Sequence, residues 1–265
     1  MMRAPGPRMP GGMRGLLFVC VAVLVNVACT TAARVPSGVV AHRGASADWP
    51  ENTLPALDAA VRAKAAWVEF DTFEARDGVA FLMHDRTLDR TTDAATLYGP
   101  ECLSSSLDWS QVQRLDAGAW KGAAHRGTPV PSLEQALQLL GGTPAMIERK
   151  HGSPESVLEP VRRLQRVQKD VVQSFDWEWL QAVHALEPTL VLGALGSGVL
   201  DEAALDAIAR TGARFVHWKH TDLRPEDVTR VHARGWAVGV YTVDDPVRTA
   251  ELRAMDVDFV TTNRP

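Results

Sequence analysis

From Val39 to the C-terminus, short apolar runs alternate with longer amphipathic or alanine-rich stretches. Eight runs read as strands: Val39–His42, Trp67–Asp71, Ala145–Arg149, Val171–Ser174, Thr189–Gly193, Phe215–Trp218, Ala237–Thr242 and Phe259–Thr262. Most are continuous and apolar, the pattern of strands buried on both faces of a parallel sheet. Seven stretches between them read as helices: Thr53–Lys64, Ser132–Leu140, Glu155–Gln168, Trp177–Leu186, Asp201–Arg210, Pro225–Ala233 and Pro246–Met255. Ser132 followed by Glu134 and Gln135, and Asp245 before Pro246, are helix-start signals. This alternation predicts an α/β fold, a (β/α)8 TIM barrel over residues 38–265, close to the typical size of about 250 residues. A doubly wound open sheet is the runner-up. It would want a glycine-rich phosphate turn after its first strand, and His42-Arg43-Gly44-Ala45 is not one.

Residues 72–131 interrupt the rhythm. Asp77-Gly78 predicts a tight turn closing a hairpin whose second arm is Val79–His84. The stretch Arg86–Pro131 is rich in Ser, Thr, Gly and Asp and predicts an excursion over the barrel mouth. Its Leu97, Tyr98, Trp109 and Trp120 are scattered among polar residues and do not read as a membrane anchor. The eighth strand is followed only by Asn263-Arg264-Pro265, so the eighth helix is missing from the pattern. The signal-proximal segment or a partner is expected to cover that face, or the sequence is truncated there.

The first 33 residues have a different character. Arg3, Arg8 and Arg14 precede the apolar run Leu16–Val25, and small residues follow at Ala28, Ala32 and Ala33. A basic region, an apolar core of about ten residues and a small-residue cleavage zone describe a secretory signal. The run is too short to span a bilayer. Met1, Met9 or Met13 could be its start. Cys29 stands where bacterial lipoproteins carry their lipidated cysteine, although Asn26-Val27-Ala28 lacks the Leu usual at the first lipobox position. Membrane attachment through a lipid on Cys29 is preferred over plain cleavage near Ala33. The expected location is therefore periplasmic or membrane-anchored, alternatively secreted.

Composition excludes more than it identifies. Of 265 residues, 46% are hydrophobic and 23% charged, ordinary for a globular protein. That excludes a polytopic membrane protein, a disordered chain and a collagen-like one. With 28 basic and 32 acidic residues the net charge is −4, and no Lys/Arg block points to nucleic acid. The signal segment holds three of the arginines and no acid, so the rest carries 25 against 32, or −7. Three cysteines cannot form a disulfide framework, and Cys102 reads as a small half-buried residue.

The chemistry gathers at the C-terminal ends of the predicted strands, where barrels place their catalytic groups. The first strand ends in His42-Arg43. In the second, Glu69 and Asp71 are two apart and share one side. The hairpin arm runs into His84-Asp85. In the third strand Glu148 and Lys150 share one side and Arg149 takes the other. Three carboxylates converging on one mouth repel each other unless a divalent cation sits between them. Oxygen-only ligation favours Ca2+ or Mg2+ over zinc. Two histidines on separate strand ends suit an acid/base pair, and Arg43 and Lys150 add fixed positive charge suited to a phosphate oxyanion. His125, His151, His184, His217, His220 and His232 read mostly as structural histidines.

These residues fall into an ordered series. It runs His42-Arg43-Gly44, Glu51-Asn52-Thr53, Glu69-x-Asp71, Asp77-Gly78, His84-Asp85 with Leu88 and Arg90-Thr91-Thr92. It continues through Pro129-x-Pro131-Ser132-Leu133-Glu134, Glu148-x-Lys150 and Ser174-Phe175. Trp236-Ala237-Val238, Tyr241-Thr242-Val243-Asp244 and Asp258–Asn263 follow. The series resembles the glycerophosphodiester phosphodiesterase family over residues 38–265. The resemblance implies a TIM barrel hydrolysing small-molecule glycerophosphodiesters to sn-glycerol 3-phosphate and an alcohol. It implies that Glu69, Asp71 and Glu148 hold Ca2+ or Mg2+, that His42 and His84 are the acid/base pair, and that Arg43 and Lys150 grip the phosphate. It also implies attack by a glycerol hydroxyl, with the metal bridging that hydroxyl and a phosphate oxygen, before water opens the cyclic ester. Glu51 and Asn52 would orient the inner residues.

Three positions depart from the family pattern. Arg149 stands where an apolar residue is usual, Ala75 replaces a common threonine, and Tyr241 takes a place often held by Trp. Two alternatives remain: a phospholipase D-like or phosphoinositide-cleaving enzyme on the same barrel, and a non-catalytic phosphoester-binding protein. Against the last, all seven polar site positions carry chemically competent residues.

Overall fold

The computed structural model describes residues 1–6 and 35–265. The chain divides into Met1–Ala32 and Ala33–Pro265. Of the first unit only residues 1–6 are described, without regular structure and exposed. The run Leu16–Val25, Cys29 and the cleavage zone at Ala33 lie outside the described residues. Among the described residues no helix is long and apolar enough to cross a membrane.

The second unit begins with β1 (Gly38–Ala41), α1 (Leu54–Arg62), β2 (Trp67–Glu74) and β3 (Ala80–Leu82). Two short helices follow, α2 (Ala94–Tyr98) and α3 (Trp109–Val112), then α4 (Leu133–Leu140), β4 (Ala145–Arg149), α5 (Pro154–Arg163) and β5 (Val171–Ser174). The rest alternates strictly: α6 (Trp177–Leu186), β6 (Val191–Gly196), α7 (Glu202–Ala209), β7 (Phe215–Lys219), α8 (Pro225–Ala233), β8 (Ala237–Tyr241), α9 (Pro246–Ala254) and β9 (Phe259–Thr262).

β1 pairs in parallel with both β2 and β9, which closes β1-β9-β8-β7-β6-β5-β4-β2 into an eight-stranded parallel barrel. The predicted TIM barrel is the observed fold. β3 lies antiparallel on β2, with Phe73 opposite Phe81, and Gly78 turns the hairpin at φ +87°. Of the predicted boundaries that move, two have a plain cause. β6 begins at Val191 rather than Thr189, because Thr189 is tied into a turn by a 2.7 Å bond to Glu187. α5 stops at Arg163 because Gln165 adopts a left-handed φ of 55°. Arg166 then turns inward to pair with buried Asp170 and to donate to the carbonyls of Leu137, Gly141 and Thr143.

The helices bury the face their spacing prescribes. In α4 that face is Leu133, Ala136, Leu137 and Leu140, and the helix opens on a reciprocal bond pair between Ser132 and Gln135. Inside the barrel, Val40, Trp67, Met146, Val171, Val191, Phe215, Ala237 and Phe259 form one apolar layer. The rings of Phe215 and Phe259 need room above them. A Cβ at Gly193 or Gly239 would lie 2.0 Å from the respective ring, so both positions require glycine. This plug leaves the polar residues of the next turn of each strand no exit but the C-terminal mouth.

The excursion is not the loose polar loop its composition suggests. Leu88, Ala94, Cys102, Leu107, Val112 and Leu115 pack under it against Phe73 and Phe81 of the hairpin, forming a small second core. Aspartates hold its turns: Asp89 accepts from the amides of Glu101 and Cys102, and Asp116 from those of Gly118, Ala119 and Gly127. The apolar positions are spaced singly, so no run betrays them. Cys102 is free and buried, deeper than the half-buried position read from the sequence. Among the described residues no helix follows β9, and a groove of about 510 Å³ lies between α9 and the β1/β9 face.

Candidate active site

Register assembles the site. β2 and β4 pair so that Asp71 lies opposite Glu148 and Glu69 opposite Met146, and β4 and β5 pair so that Glu148 lies opposite Gln173. Glu69, Asp71 and Glu148 are all buried, and each offers an oxygen within 4.8 Å of the others. Asp71 Oδ1 and Glu148 Oε1 accept no aligned hydrogen bond. A buried oxygen-only cluster fits a hard divalent cation.

The residues after β1 strap this cluster. Arg43 sits at φ 54° and Gly44 at φ +80°, where a Cβ on Gly44 would meet the Ala56 backbone at 2.5 Å. That turn aims the Arg43 amide at Glu69 Oε2 (2.9 Å), its Nε toward Asp71 Oδ2 (3.1 Å) and its Nη1 at Glu51 Oε1 (2.8 Å). Asn52 donates Nδ2 to Asp71 Oδ2 at 2.9 Å and accepts from the Asp71 amide at 3.1 Å. Lys150 pairs with Glu148 and stands 3.4 Å from Asp71 Oδ1. Arg149 points away, to Asp176 and over the Trp179 ring.

Both histidines are anchored through Nδ1. His84 Nδ1 lies 2.6 Å from Asp85 Oδ1. Arg90 pairs with Asp85 and also donates to both oxygens of Glu51 at 2.7 and 3.0 Å. One guanidinium thus braces the carboxylates behind His84 and Arg43. His42 Nδ1 lies 2.7 Å from Asn263 Oδ1. Asn263 donates its Nδ2 to Asp244 Oδ2 at 2.7 Å, which leaves its Oδ1 to face the imidazole. The neutral His42 ring therefore carries its proton on Nδ1 and presents a bare Nε2. Asp85, Arg90, Asp244 and Asn263 were absent from the sequence-derived set of site residues; the signal available was their place in the ordered motif series.

Electrostatics follow from burial. It pushes the Glu69 carboxyl well above its ordinary value, reinforced by Asp71 and Glu148. Glu148 is raised by burial and Asp71 against the pull of Lys150. Burial would raise Asp71 too, but Arg43 and Lys150 outweigh it and hold Asp71 low. His42 falls to about 4, through burial and then Arg43.

His42, Arg43, Glu69, His84, Glu148 and Lys150 line a cavity of about 150 Å³, whose far wall is Gln173, Phe175, Leu195, His217 and Tyr241. Larger hollows of about 430 and 510 Å³ lie beside the hairpin and beside α9. Neither contains the carboxylate cluster, so chemistry rather than volume marks the site. His217, read from sequence as structural, belongs to this wall.

Burial pushes His217 down to about 3. An unfolded His titrates near 6.5, so below that pH the unfolded chain binds protons that buried His217 and His42 refuse. The share of stability carried by these two histidines is expected to be level above pH 6.5 and to fall on acidification, by up to about 1.4 kcal/mol per pH unit for each, while the raised Glu69 and Glu148 act in the opposite sense. Urea midpoints of wild type and His217→Gln at pH 7 and 5 check this: relative to pH 7, the variant should be more stable at pH 5 than the wild type is.

A carboxylate cluster flanked by two fixed cations suits one substrate group above others, a phosphate ester. Fold and site together define a barrel hydrolase acting on that bond. Among known proteins, residues 42–265 match the glycerophosphoryl diester phosphodiesterase family, and the chain belongs to it. Its members are phosphoric diester hydrolases. The chain is 30% identical over 250 residues to the glycerophosphodiester phosphodiesterase of Bacillus subtilis, across 85% of this chain and 83% of that one. It aligns with a glycerophosphodiester phosphodiesterase crystal structure from Agrobacterium tumefaciens at TM-score 0.75 and 31% identity, covering 87% of this chain and 97% of that one. An Oleispira antarctica phosphodiesterase, solved in complex with the product sn-glycerol-3-phosphate, aligns at TM-score 0.78 and 26% identity, covering 86% and 93%.

Proposed function

We infer that this chain hydrolyses glycerophosphodiesters to sn-glycerol 3-phosphate and an alcohol, with Ca2+ or Mg2+ held by Glu69, Asp71 and Glu148. The observation that carries the reading is the cluster of three buried carboxylates within 4.8 Å of one another. It stands beside Arg43 and Lys150 and shares its cavity with His42 and His84. The product bound in the Oleispira antarctica neighbour supports the same product here. When bound, the cation supplies positive charge to the phosphate oxygens as the displacement proceeds.

The chain's own groups do the rest. Arg43 and Lys150 hold the phosphate from two sides, each kept in place by carboxylates it already pairs with. His42, neutral near pH 7, takes the proton of the attacking hydroxyl at Nε2 and passes it back later in the cycle. His84, oriented by Asp85, gives a proton to the departing alkoxide. Glu51 and Asn52 hold Arg43 and Asp71 in position.

Purified full-length chain is expected to release choline and sn-glycerol 3-phosphate from glycerophosphocholine. Glycerophosphoethanolamine and glycerophosphoinositol would rank the alcohols. Release of phosphocholine instead, or no turnover of any of the three, would overturn the reading. Residues 1–33 serve as an export signal in this proposal. Palmitate incorporation that vanishes in Cys29→Ser marks the anchored form, and its absence from the wild type excludes that form.

A further inference from the structure

A second hollow, of about 400 Å³ against about 150 Å³ for the catalytic cavity, lies beside it and shares His42 and Arg43 with it. Glu51, Trp120, Lys121, Asp244 and Arg264 also line it. Of these, Trp120, Lys121 and Arg264 take no part in the chemistry proposed. The two carboxylates are already engaged. Glu51 accepts from Arg43 Nη1 at 2.8 Å and from Arg90 at 2.7 and 3.0 Å. Asp244 Oδ1 accepts from the Thr262 hydroxyl and the Asn263 amide, and its Oδ2 from Asn263 Nδ2. The two outer cations are not so engaged. Lys121 is held by a carbonyl, donating Nζ to that of Ser46 at 2.7 Å. Arg264 is exposed, with only its amide tied, to Thr262 Oγ1 at 3.1 Å. Among the described residues neither forms an ion pair.

That imbalance decides what the hollow can take. An indole at the edge of a site usually suggests a cationic guest. Here the Trp120 ring is fixed by its Nε1 bond to the Ala117 carbonyl at 2.9 Å. It already meets Lys121 at 5.6 Å and Arg90 at 6.0 Å, so a third cation would be repelled. An ammonium and a guanidinium on separate segments, both without a carboxylate, suit an anion with several acceptor oxygens, which is a phosphate. The hollow also reaches the leaving-group side of the site. Arg90, beside Trp120, pairs with the Asp85 that stands behind His84, the group that protonates the departing alkoxide. The attacking arm stays by the carboxylate cluster, so the alcohol is the arm that extends into the hollow.

We propose that this hollow is a second anion site, in which Lys121 and Arg264 bind a phosphate carried by the alcohol of the diester. The preferred substrates are then glycerophosphodiesters whose alcohol is itself phosphorylated. This rests on the glycerophosphodiester reading. The probes are glycerophosphoinositol and its 4-phosphate, which differ only in that group. With Ca2+ or Mg2+ present, the wild type should turn over the 4-phosphate with a kcat/KM at least about tenfold higher. Calorimetric binding to His84→Ala, which needs no turnover, should show the same preference in Kd. Lys121→Met combined with Arg264→Gln should bring both ratios within about twofold. Should the double variant fold poorly by circular dichroism, Arg264→Gln alone should still lower them, at an exposed position with no side-chain hydrogen bond to lose. A ratio near one in the wild type overturns the proposal. So does a preference that persists in the double variant, which would mean that the catalytic cluster reads the extra phosphate, and so does equal weakening toward both ligands. Discriminating binding without hydrolysis of either diester upholds the anion site and sinks the reaction.

Discussion

Replacing His42 by alanine is expected to lower turnover of glycerophosphocholine by two to four orders of magnitude, with little change in melting temperature. The size of the effect follows from the ring's setting. Burial and the neighbouring Arg43 guanidinium bring its pKa to about 4, so it is a neutral base near pH 7. Asn263, locked by Asp244, keeps the proton on Nδ1 and the lone pair on Nε2. The stability effect is small because the ring gives up one hydrogen bond, worth about 1 kcal/mol, and Ser46 still donates to Asn263 Oδ1 at 2.8 Å. His84→Ala should cause a comparable loss. Asn263→Leu should retain more activity than His42→Ala, because the imidazole remains but its tautomer and orientation are no longer set. Steady-state kinetics beside thermal unfolding check all three, and near-wild-type kcat in His42→Ala would remove that residue from the mechanism.

Chelation is expected to abolish turnover, and Ca2+ or Mg2+ to restore it. Three buried carboxylates within 4.8 Å face two cations, Arg43 and Lys150, so the fully ionised cluster keeps one uncompensated negative charge. The raised Glu69 and Glu148 express that strain: without a cation, a proton is the cheapest relief. A divalent ion held there links binding to stability. At a concentration one hundred times its Kd it should add about 2.7 kcal/mol, visible as a higher melting temperature. Glu69→Gln removes a ligand and a repelling charge together. The variant should lose activity and the cation-induced shift while the cation-free protein melts no lower than the wild type. Turnover that survives exhaustive chelation would sink the metal role.

Much of this molecule is legible along the chain because its strands are buried on both faces and its helices on one. Val171-Val172 and Phe215–Trp218 announce themselves as runs, and α4 by its spacing and its Ser132 start. Carboxylates stand out at strand ends because a charge is costly there unless something uses it. Glu69, Asp71 and Glu148 are visible on that ground, and the structure brings them together. The second core of the excursion left no such trace. Leu88, Val112 and Leu115 sit singly among polar residues, and only the packing of distant segments reveals a shared interior.

The contacts that hold the site residues are hidden for the same reason. Asn263 is 221 positions from His42, so only barrel closure brings its side chain to the imidazole. Arg90 stands in the motif series, but what it holds shows only once Glu51 and Asp85 are placed on either side of it. His217 looked structural, and it is hydrogen-bonded and buried as such a histidine should be. Its partner Gln173 stands 44 positions away on β5, a pairing that only the barrel brings about.

The sequence by itself determined the alternation of strands and helices, the barrel class and the identity of the charged groups at its mouth, because periodicity and chemical incongruity are local properties. Tertiary structure alone decided which partner each imidazole faces and which guanidinium braces which carboxylate. Those depend on hydrogen bonds a few ångströms long between residues far apart in the chain, and only barrel closure and strand register set such distances.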